Sequence, residues 1–467
     1  MTATARLRAV TAELVPPAGV VRVVSLSNLA KTAAHGIIMS VSVLYFTTSI
    51  GISATKVGLA LTIGAAVGML VAVPAGHAAD IFGPRNATVL AMIALGLVTC
   101  GYAFATSFWW LTAVACLVLA GESATDASRG ALVAGVVPPE ERVRAWSYFR
   151  AVANLGVTLG AVIGGIGLYF DSQAGYRALL LLAGALFAVA GLAYLRVPVV
   201  PPTRNTEAQP SLVVLRDRPY AAFVVLNALL VMNGPLLTVA LPIWIAQRTE
   251  APTAIYPAIL VINTICVVLL QVRVSRGAER LDGGARAWQR AGLVLAACCV
   301  LFALAGGLPV WAAVAALLAG ALVHVLGEML HSSGAWSLAY GLAPEGSHGQ
   351  YQGLFGMSTQ LGSTITPFAA TVLIIGFGWS GWLVFGAVMC AAGLLAPAVV
   401  RAARKNPTRS GFSATDEPAK VPETGSATAE PAKVPEARST TDEPATDEPT
   451  TVAGGESAGD PLSSDRS

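Results

Sequence analysis

Two Gly-Glu dipeptides, Gly121–Glu122 and Gly327–Glu328, place carboxyl groups within long apolar stretches of this sequence. A charge at the centre of a membrane-spanning helix costs roughly 2.5–3.5 kcal/mol on insertion scales, so it needs a partner or a wet cavity. A carboxyl in a low-dielectric environment has its charged form disfavoured, and it can then exchange a proton near neutral pH. Glu122 and Glu328 are therefore candidate proton carriers.

The neighbours of the two glutamates indicate which roles are open to them. His324, Glu328 and His331 lie at i, i+4 and i+7, so one helix face carries all three. A proton relay, buried structural hydrogen bonding and a metal site are all compatible with this spacing; no metal site is assigned, and the histidines favour Glu328 as the proton carrier. Asp126 and Arg129 lie at i and i+3, where a structural ion pair and a role in proton coupling both remain open.

Other polar residues in apolar segments are candidates for lining a central cavity, because lipid offers them no partner. Asn28, Lys31 and His35 lie at i, i+3 and i+7 and form one polar stripe. Packing between helices is the alternative interpretation of such stripes. The remaining cavity candidates are Arg150, Asn154, Asn227, Asn233 and Gln360.

Membrane helices must position these groups, because 55% of the 467 residues are hydrophobic and only 12% are charged. A soluble domain carries about 25% charged residues. Apolar runs of about 20 residues can cross ~30 Å of hydrocarbon. They predict an all-α polytopic membrane protein with twelve spans at 20–47, 54–77, 86–106, 109–137, 143–169, 175–196, 219–247, 253–273, 288–308, 310–341, 348–376 and 379–402.

The sequence repeats itself at an offset of 206 residues, which maps Gly121–Glu122 onto Gly327–Glu328. The same offset maps Leu132, Gly135 and Pro138 onto Leu338, Gly341 and Pro344. We therefore predict two pseudo-symmetric six-helix bundles, 20–197 and 219–404, joined by a polar linker at 198–218. An arm at 1–19 precedes them. A tail at 405–467, rich in Pro, Glu and Thr, follows and is predicted to be disordered.

The distribution of Lys and Arg predicts the orientation in the membrane. Nineteen of these residues flank the spans on one side, against Lys56, Arg177 and Arg248 on the other. Because cytoplasmic loops carry the excess of positive charge, both termini are expected in the cytoplasm and the chain in the cell membrane.

The junction of the second and third spans reads Gly76-His-Ala-Ala-Asp80-Ile-Phe-Gly83-Pro-Arg85. This G-x-x-x-D-x-x-G-x-R pattern, on a six-plus-six hydropathy profile, resembles the signature loop of the major facilitator superfamily. Gly76 and Gly83 would permit a tight turn, and Asp80 can accept hydrogen bonds from the amides of a helix N-terminus. The resemblance implies that Asp80 and Arg85 latch neighbouring helices and release them during a conformational change.

The fifth span carries Gly156, Gly160, Gly164 and Gly165, whose spacing allows close helix packing. The run also resembles the antiporter motif of drug-exporting facilitators, with Ala161 in place of the motif's proline. Close packing and an export signature both remain open interpretations of it.

The resemblance implies alternating access around a site near the membrane midplane. The expected function is secondary active transport, as proton-coupled efflux of small amphipathic organic compounds. Metabolite uptake by the same fold, or a non-transporting membrane sensor or scaffold, are the alternatives. We expect no enzyme activity, no cofactor and no nucleic acid partner. The expected partners are a small-molecule substrate, protons and the lipid bilayer, with the protein acting as a monomer.

Overall fold

The computed structural model describes residues 15–169, 172–202 and 213–405, and these are helical with short connections. Most of the predicted arm and nearly all of the predicted tail lie outside the described residues. Within them, twelve long helices follow one another: α1 Val20–Ser49, α2 Ala54–Phe82, α3 Pro84–Phe104, α4 Phe108–Val136, α5 Pro139–Tyr169, α6 Gln173–Arg196, α7 Arg218–Arg248, α8 Ile255–Val274, α9 Leu281–Ala305, α10 Val310–Gly341, α11 His348–Ala370 and α12 Trp379–Arg404.

Eleven of these helices are long and apolar enough to cross a membrane, and α11 is the more polar exception. The first turns of α11 carry Gln350 and Gln352, which are buried among other helices. A helix can hold such amides in a membrane protein when it is surrounded by protein rather than lipid. The predicted twelve-helix architecture is therefore confirmed.

The ninth helix is the clearest error in the predicted bounds, because it begins at Leu281 and not at 288. Hydropathy marks only the apolar part of a helix, and the first turns of α9 contain Asp282, Gly283 and Gly284. The two glycines allow close packing in these turns, and a Cβ on Gly283 would overlap the carbonyl oxygen of Gly277. A Cβ on Gly284 would overlap the side chain of Ser337 on α10.

Helix α7 is interrupted near its middle, where Asn233–Pro235 is followed by a π-helical turn at Leu236–Ala240. Proline lacks an N–H and disrupts the hydrogen bonds of the preceding turn. Side chains compensate at this point: Asn233 donates to the carbonyl of Leu230 at 2.5 Å, and Nε2 of His324 lies 3.0 Å from the carbonyl oxygen of Asn233. The break thus explains Asn233, which the sequence placed on a cavity wall, and His324, which it proposed for proton coupling.

Helices α1 and α5 are held together by the glycines of the fifth span. Cβ atoms on Gly156 and Gly160 would overlap Thr32 and the backbone of Ala33, and one on Gly164 would lie 2.6 Å from the Ser40 Cβ. Close approach of this kind is the usual role of small residues at four-residue spacing. Gly165 differs, because a Cβ there would meet nothing within 4 Å.

The two halves, α1–α6 and α7–α12, meet through α2 with α11, α4 with α11, and α5 with both α8 and α10. The side-chain hydrogen bonds that join them involve Asp80, Trp146, Arg150 and Tyr340. The indole rings of Trp146 and Trp336 also stack across the interface, with centroids 3.4 Å apart and planes 10° from parallel. We call this end of the bundle, where α4 leads into α5 and α10 into α11, the Arg-rich end; the halves are closed against each other there.

Candidate functional site

Helices α1 and α4 bring their polar residues together in three successive contacts, which we call the α1–α4 ladder. Nδ1 of His35 lies 3.1 Å from Oε1 of Glu122. One turn further along α4, Lys31 forms an ion pair with Oδ1 of Asp126. Arg129 donates to the same Oδ1 atom at 3.0 Å, and also to the side-chain oxygen of Asn28.

The anionic and cationic members of the ladder differ in exposure. The side chain of Asp126 is 45% exposed, whereas those of Lys31 and Arg129 are 11% and 10% exposed. The two cations therefore lie behind the carboxylate. Two carboxylates face two permanent cations, so the ladder is electrically neutral when His35 is neutral.

Two further contacts fix the base of the ladder to α5. Nδ2 of Asn28 donates to the carbonyl of Phe149 at 2.8 Å. The guanidinium of Arg129 lies 5.0 Å from the centre of the Trp146 ring, within the range of a cation–π contact. The ladder is thereby connected to the indole stack that joins the two halves.

Glu328 on α10 has a different set of partners, which we call the Glu328 cluster. Its Oε1 accepts from Arg150 of α5, so this ion pair crosses between the halves. Its Oε2 accepts from Nδ2 of Asn263 of α8 at 2.8 Å, and Nδ1 of His324 lies 3.9 Å away. Arg150, which the sequence identified as a cavity candidate, is therefore the charge partner of Glu328.

His331 is separated from this cluster, although it shares a helix face with His324 and Glu328. Its Nε2 lies 3.2 Å from Oδ1 of Asn227, and its ring contacts Trp288 at 5.1 Å between centroids. Asn227 in turn donates to Ser358 at 2.7 Å. The structure therefore does not bring the three residues together as a relay. Within the described residues, no group of three or more His, Cys, Asp or Glu side chains could hold a metal ion.

A cavity of about 180 Å³ lies between the halves, against α2, α4, α5, α10 and α11. Glu122, Asp126 and Arg129 border it from the N-terminal half, and its aromatic lining consists of Trp146, Trp336 and Phe355. Carboxylates, indoles and amides thus meet at one place between the halves. We call it the central cavity.

Of the eight residues that the sequence proposed for a cavity, Gln360 lines this one. Asn28, Asn227 and Asn233 are instead buried between helices, where they bond to backbone and side-chain groups. Asn154 donates to the carbonyl of Arg150, one turn earlier on its own helix, at 3.1 Å. Packing, the alternative interpretation of the polar stripes, therefore describes these asparagines.

Several cavity residues were missed in the sequence, among them Trp146, Trp336 and Gln352. Gln352 is 3% exposed, and its amide nitrogen has no hydrogen-bond partner among the described residues. The available signal was the 206-residue offset, which aligns Gln352 with Trp146 and so places both in the first turns of equivalent helices.

The signature residues at the α2–α3 junction act at two different helix ends. Asp80 accepts from the backbone amides of Gly349 and Gln350, at 2.7 and 3.1 Å, and so caps the N-terminus of α11 in the other half. Arg85 donates to the carbonyl of Leu195 at 2.6 Å, at the end of α6 within its own half.

The two signature glycines also differ in role. Gly83, with φ of 90°, makes the turn between α2 and α3. The prediction that Gly76 belongs to the turn is wrong, since it lies inside α2, where a Cβ would overlap the backbone of Gly349.

Twelve helices in two halves, with charged groups between them, define a polytopic membrane transporter. The family model of the Major Facilitator Superfamily matches residues 24–367. The chain belongs to this family, whose members are transporters.

Three known proteins illustrate what the chain is similar to. It is 24% identical over 344 residues to an uncharacterized MFS-type transporter, YqjV, of Bacillus subtilis, covering 72% of this chain and 81% of YqjV. It is 28% identical over 216 residues to the multidrug resistance protein MdtH of Shigella sonnei, covering 45% of this chain and about half, 52%, of MdtH. The structure of the transporter FucP in the outward conformation superposes with a TM-score of 0.65 at 13% identity, over 81% of this chain and 98% of FucP.

Proposed function

We propose that this protein exports small amphipathic organic compounds in exchange for protons, by alternating access across the cell membrane. The excess of Lys and Arg at one end favours placing that end, with both termini, in the cytoplasm. In this orientation the closed Arg-rich end is cytoplasmic, and the described arrangement is closed toward the cytoplasm.

The observation that carries the proposal is the contact of 3.1 Å between His35 and Glu122 beside the central cavity. A carboxyl and an imidazole in contact can pass one proton between them, and Glu122 is positioned to exchange it with water in the cavity. His35, the partner of Glu122, belongs to the same half of the protein. Protonation of Glu122 therefore need not break a bond between the halves.

The sequence favoured Glu328 as the proton carrier because of its two neighbouring histidines, and the contacts change that preference. Glu328 is bonded to Arg150 and Asn263, and such partners stabilise the ionised carboxylate. His331, one of the two histidines, is bonded elsewhere. We therefore assign the transported proton to Glu122 and assign Glu328 to the contact between the halves.

The direction of transport rests on two supports. The glycine run of α5 resembles the motif of drug-exporting facilitators, although Ala161 replaces its proline. One relative is a multidrug resistance protein, over about half of its own length. Uptake of a metabolite by the same fold is the alternative. Transport measurements in inside-out vesicles separate the two directions.

Inside-out membrane vesicles with an acidified lumen test the proposal directly. A panel of radiolabelled organic compounds is added outside, and accumulation in the lumen is followed with and without a protonophore. Export in exchange for protons predicts accumulation that the protonophore abolishes. Accumulation that is unchanged by the protonophore would contradict proton coupling. Proton-driven loss of preloaded compound from the lumen would indicate uptake.

A matched control uses Asp282→Asn, a change in an exposed acid that pairs with Arg404 at the start of α9. This variant removes a carboxylate from the protein but not from the central cavity. It should accumulate the same compounds as the unmodified protein.

A further inference from the structure

The central cavity presents its negative groups to a ligand more openly than its positive ones. Asp126 is 45% exposed, whereas the ammonium-bearing Lys31 side chain is 11% exposed. Both Lys31 and Arg129 bond to Oδ1 of Asp126, and its Oδ2 receives no hydrogen bond from the described residues. A molecule entering the cavity therefore meets a carboxylate oxygen before it meets either cation.

The walls of the cavity suit an apolar or alkylated cation. Trp336 and Phe355 line it, with ring centroids 4.9 Å apart. Aromatic faces attract ammonium groups through the negative potential over the ring. Arg129 already uses the same chemistry against Trp146.

Gln352 adds a second, independent indication of a ligand on the opposite wall. Its side chain borders the cavity, is 3% exposed, and has an amide nitrogen without a partner among the described residues. A buried donor without an acceptor destabilises the protein, because it has lost its hydrogen bonds to water. A ligand with an acceptor group at the far side from its charge would satisfy this nitrogen.

The volume of the cavity limits the size of the ligand. At about 180 Å³ it is smaller than the roughly 300–1,000 Å³ of pockets that enclose drug-sized molecules. The cavity in this state therefore fits a compact molecule or one end of a longer one.

We propose that the central cavity selects a small organic cation, and that Lys31 is a built-in competitor for its binding group, Asp126. The incoming cation takes the place of the Lys31 ammonium on Asp126. Lys31 has a flexible four-carbon stem, and Glu122, one turn away on α4, offers its ammonium a second carboxylate. The inference rests on the proposed transport function, whose substrate class it specifies.

Binding measurements on the purified full-length protein in nanodiscs test this without requiring transport. The probe is phenyltrimethylammonium, and its uncharged carbon isostere, tert-butylbenzene, and the anion benzoate serve as matched ligands. We expect measurable affinity for the cation only. Removing the carboxylate charge with Asp126→Asn should weaken cation binding about tenfold or more, because the quaternary ammonium loses its Coulombic attraction to the carboxylate.

The Lys31→Met variant is the decisive one, because it removes the competitor and keeps the length of the side chain. It should bind the cation more tightly than the unmodified protein, whereas Lys31→Arg should not.

Asp126→Asn leaves two cations without their carboxylate and is at risk of misfolding. The double variant Lys31→Met/Asp126→Asn therefore accompanies it, and should fold while binding the cation as weakly as Asp126→Asn.

Equal affinity for the cation and its isostere, or weaker cation binding by Lys31→Met, would overturn the inference. Suppose the protein exports neutral compounds in a proton-driven way and binds ligands without a charge preference. That result would refute the substrate class but would be consistent with the proposed function. Cation binding that depends on Asp126 without proton-driven transport would refute the function instead.

Discussion

Glu122 and Glu328 occupy repeated positions in the sequence but have different surroundings in the structure. The helix backbone around them does repeat, since Gly121 faces Leu95 of α3 and Gly327 faces Leu295 of the corresponding helix α9. Their side chains do not, since Glu122 contacts His35 within its own half whereas Glu328 is bonded to Arg150 across the interface.

The difference arises from the helices that face each glutamate. Helix α1 carries a polar stripe toward α4, whereas α7, its counterpart, is broken at Asn233–Pro235 and uses its polar groups to repair that break. A carboxylate inside a membrane protein must find a partner somewhere. Glu328 finds its basic partner in the other half. Two repeated residues can thus diverge, one pairing within its own half and the other joining the halves.

The largest expected effect is that of Glu122→Gln, which keeps the shape of the side chain and removes its proton exchange. We expect concentrative transport to be lost while exchange of labelled for unlabelled compound across the vesicle membrane continues. Glu328→Gln is the matched variant, and it should retain proton-driven accumulation. Normal accumulation by Glu122→Gln, or loss of coupling in both variants, would show that the two glutamates do not differ as proposed.

The second effect concerns the ion pair between the halves. Removing one partner of a fully buried pair costs about 3–5 kcal/mol. Because Arg150 is 32% exposed, we expect Arg150→Met to shift the balance away from the closed Arg-rich end by about 2 kcal/mol. Spin labels at positions 140 and 345, in a variant without native cysteines, would report this shift as a longer distance between α5 and the loop after α10.

The double variant Arg150→Met/Glu328→Met provides the control for this ion pair. It leaves no unpaired charge. The distances between its spin labels should therefore be closer to those of the unmodified protein than the distances in Arg150→Met are. A distance distribution unchanged by Arg150→Met would mean that the pair does not hold the halves together.

The smallest effect concerns the glycines that precede the two glutamates. A Cβ on Gly327 would lie 2.7 Å from Cγ of Leu295, whereas one on Gly121 would lie 3.3 Å from Cδ1 of Leu95. Gly327→Ala should therefore destabilise the protein by about 1–3 kcal/mol through overpacking. Gly121→Ala should be nearly neutral. Alanine stabilises a helix by up to about 1 kcal/mol relative to glycine, and this gain offsets the cost of the closer contact with Leu95. Thermal unfolding of both variants in detergent checks the order, and a greater loss in Gly121→Ala would contradict it.

The sequence by itself determined the twelve helices, the family and most helix bounds. Each of these depends on the local run of side chains, because a membrane helix needs about 20 apolar residues wherever it lies in the chain. It also indicated that Asp80 can accept hydrogen bonds at a helix N-terminus, but not that the helix would be α11 of the other half. The start of α9 at Leu281 was missed because the polar part of a helix outside the apolar run has no hydropathy signal.

Only the tertiary structure decided which polar groups meet. Arg150 and Glu328 are 178 residues apart in the chain, and their contact depends on how the two halves are placed against each other. The partner of His331, the stack of Trp146 on Trp336 and the position of Gln352 depend equally on the rotation of one helix against another. Hydrophobic periodicity fixes such rotations poorly when most faces of a helix are apolar. The side chains that bind across the interface were therefore determined by packing between distant segments, which no local pattern in the sequence encodes.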